Sequence, residues 1–175
     1  MKLCLVSGFL GSGKTTAITT ASKMLLRDKV RAAIITNDQG SQLVDTAFTT
    51  NLKIPTGEIK NGCFCCNYDQ FHSEIQRLNQ STQPEIIFAE AVGSCADLVA
   101  TVINPTLRFD PATTITFSVF ADGPVLLSML DGRSLFISED IQYIYKKQLE
   151  EANILVVNKS DMLDQDGMAR IKLIL

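Results

Sequence analysis

Short apolar runs alternate along this chain with longer stretches in which apolar residues recur every three to four positions. The first kind predicts strands, at residues 3–6, 32–36, 85–89, 115–120 and 154–157. The second predicts helices at residues 15–26, with Ile18, Ala21, Met24 and Leu25 on one face, and at 68–79, with Phe71, Ile75 and Leu78 on one face. Further helices are expected at residues 97–104, stopping at Pro105, at 123–130, at 138–151 with Ser138 as N-cap, and at 167–175. Strands alternating with helical crossovers point to a mainly parallel sheet flanked by helices, a three-layer α/β domain. Residues 54–59 predict a small hairpin or an edge element, because Pro55 cannot donate to a central ladder. Residues 37–50, with Asp38, Gly40 and Asp45, read as a polar loop. Neither repeats nor linkers interrupt the pattern, so residues 1–175 form one domain. A further strand would be expected after the last helix, so the sequence reads as a fragment of a longer protein.

Composition narrows the classes. The hydrophobic fraction is 46%, too high for a disordered chain, and the net charge of −3 gives no nucleic-acid footprint. No apolar segment reaches the roughly 18 residues that span a bilayer. The N-terminal apolar run leads straight into a glycine-rich loop and is not a signal peptide. A cytoplasmic location is the expectation, and there the five cysteines stay reduced and serve as buried thiols, metal ligands or redox groups.

Four stretches carry candidate chemistry. Gly8-Phe9-Leu10-Gly11-Ser12-Gly13-Lys14-Thr15 is G-x-x-x-x-G-K-T between a predicted strand and a predicted helix, the context a phosphate-binding P-loop needs. Glycines let successive N–H groups converge on phosphate oxygens, and the helix N-terminus adds partial positive charge. Lys14 would reach the β- and γ-phosphates, Thr15 would ligate Mg²⁺, and Thr16 would bond a further phosphate. A chance lysine after a glycine-rich turn is the plain alternative, and the flanking strand and helix argue against it. Asn158-Lys159-Ser160-Asp161 follows the last predicted strand. There the Asp161 carboxylate can accept from both N1–H and the N2 amine of guanine, with the Lys159 stem against the base and Asn158 tying this loop to the P-loop. Glu90-Ala91-Val92-Gly93 ends the strand at 85–89. Glu90 would hold Mg²⁺ directly or through water, and the Gly93 N–H would sense the γ-phosphate.

Gly62-Cys63-Phe64-Cys65-Cys66 packs three thiols into four residues. Thiolates at this spacing suit Zn²⁺ or another borderline divalent metal. Tetrahedral zinc needs a fourth ligand, for which His72, Asp38, Glu58 and a thiolate from a second subunit are all open. His72 reads more simply as a surface residue of a helix. Oxidation of Cys65 with Cys66 is a second reading, made less favourable by the strain of a disulfide between neighbours. Cys4 reads as structural, and Cys95 as a buried helix-start residue without an assigned role.

Taken together, these stretches resemble the CobW/UreG/HypB group of P-loop GTPases, the metallochaperones, and within it the CobW-like branch. The resemblance runs over nearly the whole chain, including Asp122 and residues 148–161, and its most specific element is GCFCC. It implies a P-loop NTPase domain that binds Mg²⁺ and GTP and hydrolyses GTP slowly, often as a homodimer. It also implies Zn²⁺, Co²⁺ or Ni²⁺ on Cys63, Cys65 and Cys66 for delivery to a client metalloprotein, with nucleotide state coupled to metal hold. Lys14, Asp38, Glu90 and Gly93 are the implied catalytic set. Gly8, Gly11, Ser12, Gly13, Lys14, Thr15, Thr16, Asn158, Lys159 and Asp161 would bind the nucleotide. The chain departs from the family where Asn37-Asp38-Gln39-Gly40 replaces N-E-F-G, and where Ala91-Val92 stands in a motif that usually reads E-x-T-G. The expectation is that these residues are a fragment without the family's C-terminal domain. Two rival readings stay open: an ATP-dependent kinase or ATPase, and a non-enzymatic metal-binding regulator or store.

Overall fold

The computed structural model describes residues 1–38, 54–60, 62–133 and 138–174, of Asp38 and Ile174 the backbone only. Most of the loop expected at residues 37–50, with Gly40 and Asp45, lies outside the described residues, as does the Asp38 side chain. In chain order the elements are β1 (Lys2–Gly8), α1 (Lys14–Arg27), β2 (Ala32–Asp38), β3 (Thr56–Lys60), α2 (Tyr68–Thr82) and β4 (Ile86–Glu90). A π-helical turn (Val99–Ile103) leads into α3 (Asn104–Phe109), followed by β5 (Thr114–Asp122), α4 (Gly123–Leu130), α5 (Glu139–Glu150), β6 (Ile154–Asn158) and α6 (Gln165–Ile174).

The strands form a parallel sheet in the order β3-β2-β4-β1-β5-β6. Side chains alternate across it, as strand geometry requires. Leu3, Leu5, Ala33, Ile35, Ile87 and Ala89 enter one core with Phe71, Ile75 and Leu78 of α2. Val6 and Ile34 enter another with Ile18 of α1 on the opposite face. A third cluster joins Ala121, Leu126, Tyr145 and Ile171, which places α4, α5 and α6 around the β5–β6 side. The sheet with helices packed on both faces makes the three layers that the alternating pattern implies.

One alternative is decided and two local expectations need correction. Of the two readings for residues 54–59 the edge element holds: β3 pairs with β2 in parallel at the sheet edge, and the Pro55 carbonyl accepts from Ile34 N at 3.0 Å. Pro55 sits just before the strand, where its missing N–H leaves no gap in the ladder. Helix α1 packs through Lys14, Ile18 and Ser22, while Met24 is 58% exposed. The buried line is set by Lys14, which must point into the P-loop, so Met24 lies off it. The helix near residue 97 does not stop at Pro105 but runs on to Phe109. The π-turn delivers Asn104 N to Val99 O, and that wider turn takes up the prolyl ring and its absent donor without ending the helix.

Candidate nucleotide and metal site

The strands among the described residues all run the same way, so their carboxyl ends gather at one edge of the sheet, the usual location of ligand sites in such folds. Gly8, Glu90, Asp122 and Asn158 each close a strand there, and β1 to β4 pairing sets Val6 opposite Glu90. The chain leaves β1 through Phe9–Gly13 and enters α1 with Gly13 left-handed at φ 92°, a conformation that costs a non-glycine residue. Gly13 also faces the Asn158 amide so closely that a Cβ there would collide with it.

Lys14 is buried, and its Nζ donates to Gly8 O at 2.7 Å and Phe9 O at 3.1 Å, folded over the loop it belongs to. Burial lowers its pKa and the Glu90 carboxylate works against that. Thr15 Oγ1 donates to Glu90 Oε1 at 2.7 Å. The hydroxyl and the carboxylate assigned to Mg²⁺ from the sequence thus lie side by side although they are far apart in the chain. Such a pair of oxygens suits a hard divalent cation. Ser12 is buried in the loop and Thr16 is exposed on the first turn of α1. Asn158 Nδ2 donates to Ser12 O at 2.8 Å, tying the base loop to the P-loop. Lys159, left-handed at φ 55°, pairs through Nζ with Asp122 Oδ2 at 2.7 Å. Asp122 also caps α4 by accepting from Val125 N at 3.2 Å. Asp161 is exposed in a short 3₁₀ turn next to them.

Gly93 lies against the P-loop: a Cβ on it would come within 2.9 Å of Leu10 N. The segment carrying it is held from both sides. Ala91 N donates to Val6 O at 2.9 Å, and the buried Gln148 of α5 donates through Nε2 to Gly93 O at 3.0 Å and Cys95 O at 2.8 Å. Glu151 accepts from Leu98 N at 3.0 Å.

The thiols follow the carboxyl end of β3. Asn37 donates to Gly62 O at 2.6 Å and Asn67 to Lys60 O at 3.1 Å, which fixes both ends of the loop. Phe64 points inward, is 0% exposed, and stacks on Phe71 with ring centroids 4.5 Å apart. With the aromatic taken into the core, the thiols converge. Cys63 Sγ lies 2.7 Å from Cys65 Sγ and 3.0 Å from Cys66 Sγ, and the three sulfurs all lie within 4.8 Å of one another. Zn–S bonds of about 2.3 Å bridge such a span. Burial acts to raise the Cys63 pKa, but hydrogen bonds from Cys65, Cys66 and Cys95 outweigh it and hold the thiol at about 7. Burial and the neighbouring Cys63 push Cys65 up to about 12. All five cysteines are free thiols.

His72, one sequence candidate for a further ligand, packs elsewhere: its Nε2 lies 2.9 Å from Gln76 Nε2 and its ring stacks on Tyr68. Glu58 pairs with Lys60 at 3.8 Å. Two residues near the site were not read as functional from the sequence. Gln148 sits far along the chain from the loop it holds. Cys95 had no spacing relation to the other thiols.

Comparison with known proteins gives the family. The model of the CobW/HypB/UreG family's nucleotide-binding domain matches residues 2–174. A zinc chaperone CobW from Sinorhizobium sp is 28% identical over 193 residues, covering 96% of this chain and 53% of that protein. A zinc chaperone YeiR from Escherichia coli (strain K12) is 30% identical over 162 residues, covering 90% of this chain and 46% of that protein. The chain thus spans about half the length of the curated relatives it matches. Among solved structures, HypB from Helicobacter pylori in complex with nickel superposes with a TM-score of 0.55 at 14% identity, covering 98% of this chain and 84% of that one. The signal recognition particle receptor FtsY from Elizabethkingia anophelis in complex with GDP gives 0.59 at 15% identity, covering 95% of this chain and 51% of that one. These likenesses show the P-loop NTPase fold. With the family model matching end to end and zinc chaperones of the CobW and YeiR type as relatives, this chain belongs to the CobW/HypB/UreG family, in its CobW-like branch.

Proposed function

We propose that this domain binds and slowly hydrolyses GTP and uses the cycle to hold and release a transition-metal cargo, zinc before cobalt or nickel, for a client metalloprotein. The observation that carries the reading is the convergence of Cys63, Cys65 and Cys66 at the same sheet edge as a complete P-loop. The zinc chaperone relatives support the choice of cargo. Thiolate ligands of this kind require a reducing compartment, which the cytoplasm provides.

The roles follow from chemistry. Backbone N–H groups from Gly11 to Thr16 would cradle the phosphates, and Lys14 would exchange its two carbonyl acceptors for β- and γ-phosphate oxygens. Thr15 and Glu90 would hold Mg²⁺, which neutralises phosphate charge when bound. Gly93 would offer its N–H to the γ-phosphate, and Asp38 would orient the attacking water. Asp161 would read guanine, with the Lys159 stem held beside the base by Asp122. Loss of the γ-phosphate would release Gly93 and with it the segment that Gln148 holds.

The test is a metal titration against a chromophoric chelator, with the protein loaded with GDP or with a non-hydrolysable GTP analogue, alongside phosphate release. The expected result is slow release of phosphate from GTP and a different metal affinity in the two nucleotide states. Equal affinities would remove the switch, and absence of phosphate release would leave a nucleotide-binding metal store.

A further inference from the structure

Strand β2 is joined to the thiol loop by more than its ladder. The β2–β3 register ends with Asn37 opposite Ile59 and Asp38 opposite Lys60. Beyond it the Asn37 side chain continues the link, with Nδ2 donating to Gly62 O at 2.6 Å. The Asn37 Oδ1 is buried without a partner among the described residues, so the amide holds an acceptor in reserve. Asn37 directly precedes Asp38, the residue proposed to orient the attacking water, and Gly62 directly precedes Cys63. One side-chain hydrogen bond therefore joins the two motifs, with a single peptide unit on either side of it.

Gly62 has little room in which to absorb a displacement. A Cβ on it would lie 2.7 Å from Asn67 Nδ2 and 3.6 Å from Cys66 Cβ. Asn67 is fixed in turn, by its Nδ2 to Lys60 O at 3.1 Å and by its N to Cys63 O at 3.0 Å. On the other side of Cys63, Phe64 is seated in the core against Phe71. Cys63 thus stands between a residue tied to β2 and a residue that cannot follow it. It is also the sulfur in contact with both others, at 2.7 Å from Cys65 and 3.0 Å from Cys66. A shift of Gly62 moves Cys63 relative to the other two thiols, which lie beyond the Phe64 anchor.

We propose that Asn37 is a positioning residue that carries the nucleotide state from the end of β2 through Gly62 to Cys63. The inference rests on the reading that Cys63, Cys65 and Cys66 hold the metal and that its affinity follows the nucleotide. The γ-phosphate sets the end of β2 at Asp38, the Asn37 amide passes the displacement on, and the Cys63 sulfur is drawn towards the ion or away from it. Linkage makes the relay reciprocal: an ion on these thiols acts back on the nucleotide through the same bond.

The experiment measures the linkage on the whole chain, in both directions. Zn²⁺ affinity is titrated with GDP and with a non-hydrolysable GTP analogue bound, and the affinities for both nucleotides are measured with and without Zn²⁺. The wild type is expected to show a ratio on the order of tenfold each way. Asn37→Asp keeps the size of the side chain and loses the donor, and Asn37→Ala removes both. Each variant is expected to bring both ratios below about twofold, with zinc stoichiometry and the sulfur count from X-ray absorption as in the wild type. Variants that bind more weakly in both states but keep the wild-type ratios would overturn this inference and leave the switch standing. Equal zinc affinities in the two nucleotide states of the wild type would overturn the switch itself, and a wild type without zinc on sulfur would overturn the metal reading beneath it. Should neither variant fold, hydrogen exchange at residues 62–67 of the wild type decides the matter. Protection that differs between the two nucleotide states supports the relay, and identical protection overturns it.

Discussion

The nucleotide end and the thiol end of this domain are built in opposite ways. The P-loop is contiguous, residues 8–15, and presents backbone amides from a glycine-rich turn whose shape follows from its own sequence. The thiol end is a side-chain assembly, with a β3–α2 loop anchored by Phe64 meeting a second loop from β4. A backbone site is insensitive to most side-chain changes outside its lysine and hydroxyl. A side-chain site is lost atom by atom. Residues 91–98 lie between the two, with Gly93 against Leu10 of the P-loop and Cys95 and Leu98 in the core cluster that holds Phe64.

Substitutions that strike one end and spare the other separate the two. Lys14→Ala removes the only side chain assigned to the β- and γ-phosphates and is expected to cut GTP turnover about 10³-fold. Its metal stoichiometry, read by chelator titration, stays at the wild-type value. Cys63→Ser is the converse: metal affinity falls on the order of 100-fold while GTP binding is kept, and a variant that loses both would mean that the ends are not separable. Asp161→Ala sharpens the nucleotide side, lowering the preference for GTP over ATP by about tenfold or more in a competition assay. An unchanged preference would point to an ATP-dependent enzyme. Gln148→Ala touches neither ligand. It leaves two buried carbonyls without their donor at a cost of about 1–2 kcal/mol in chemical denaturation. The same variant should narrow the difference in metal affinity between the two nucleotide states, and an unaltered difference would show that the segment is held by other means.

Much of this was legible in the chain itself, for physical reasons that also explain the misses. A P-loop is local: glycines, lysine and hydroxyl in fixed order, with strand before and helix after, leave little else to determine. Strand and helix periods carried the three layers. The lapses came where tertiary packing overrides local pattern. Met24 follows the apolar spacing of α1, yet the helix is rotated by the demand that Lys14 enter the loop. Pro105 reads as a stop, but a π-turn absorbs it. Cys95 is the most telling case, because it joins the core cluster of Phe64 only once β4 has been inserted between β1 and β2. No spacing along the chain encodes that adjacency.

Phe64 has a consequence for how fast cargo moves. Its ring is seated in the core by contact with Phe71, so the loop keeps its shape whether or not the cysteines hold an ion. In a zinc finger the metal is the core, and surrendering it means unfolding. On the proposed function, uptake and loss here would be uncoupled from folding, and exchange would proceed by bond-by-bond ligand substitution at the exposed Cys66 side. A carrier built this way would give up some depth of affinity and gain a short residence time, which would suit an ion that is meant to be passed on.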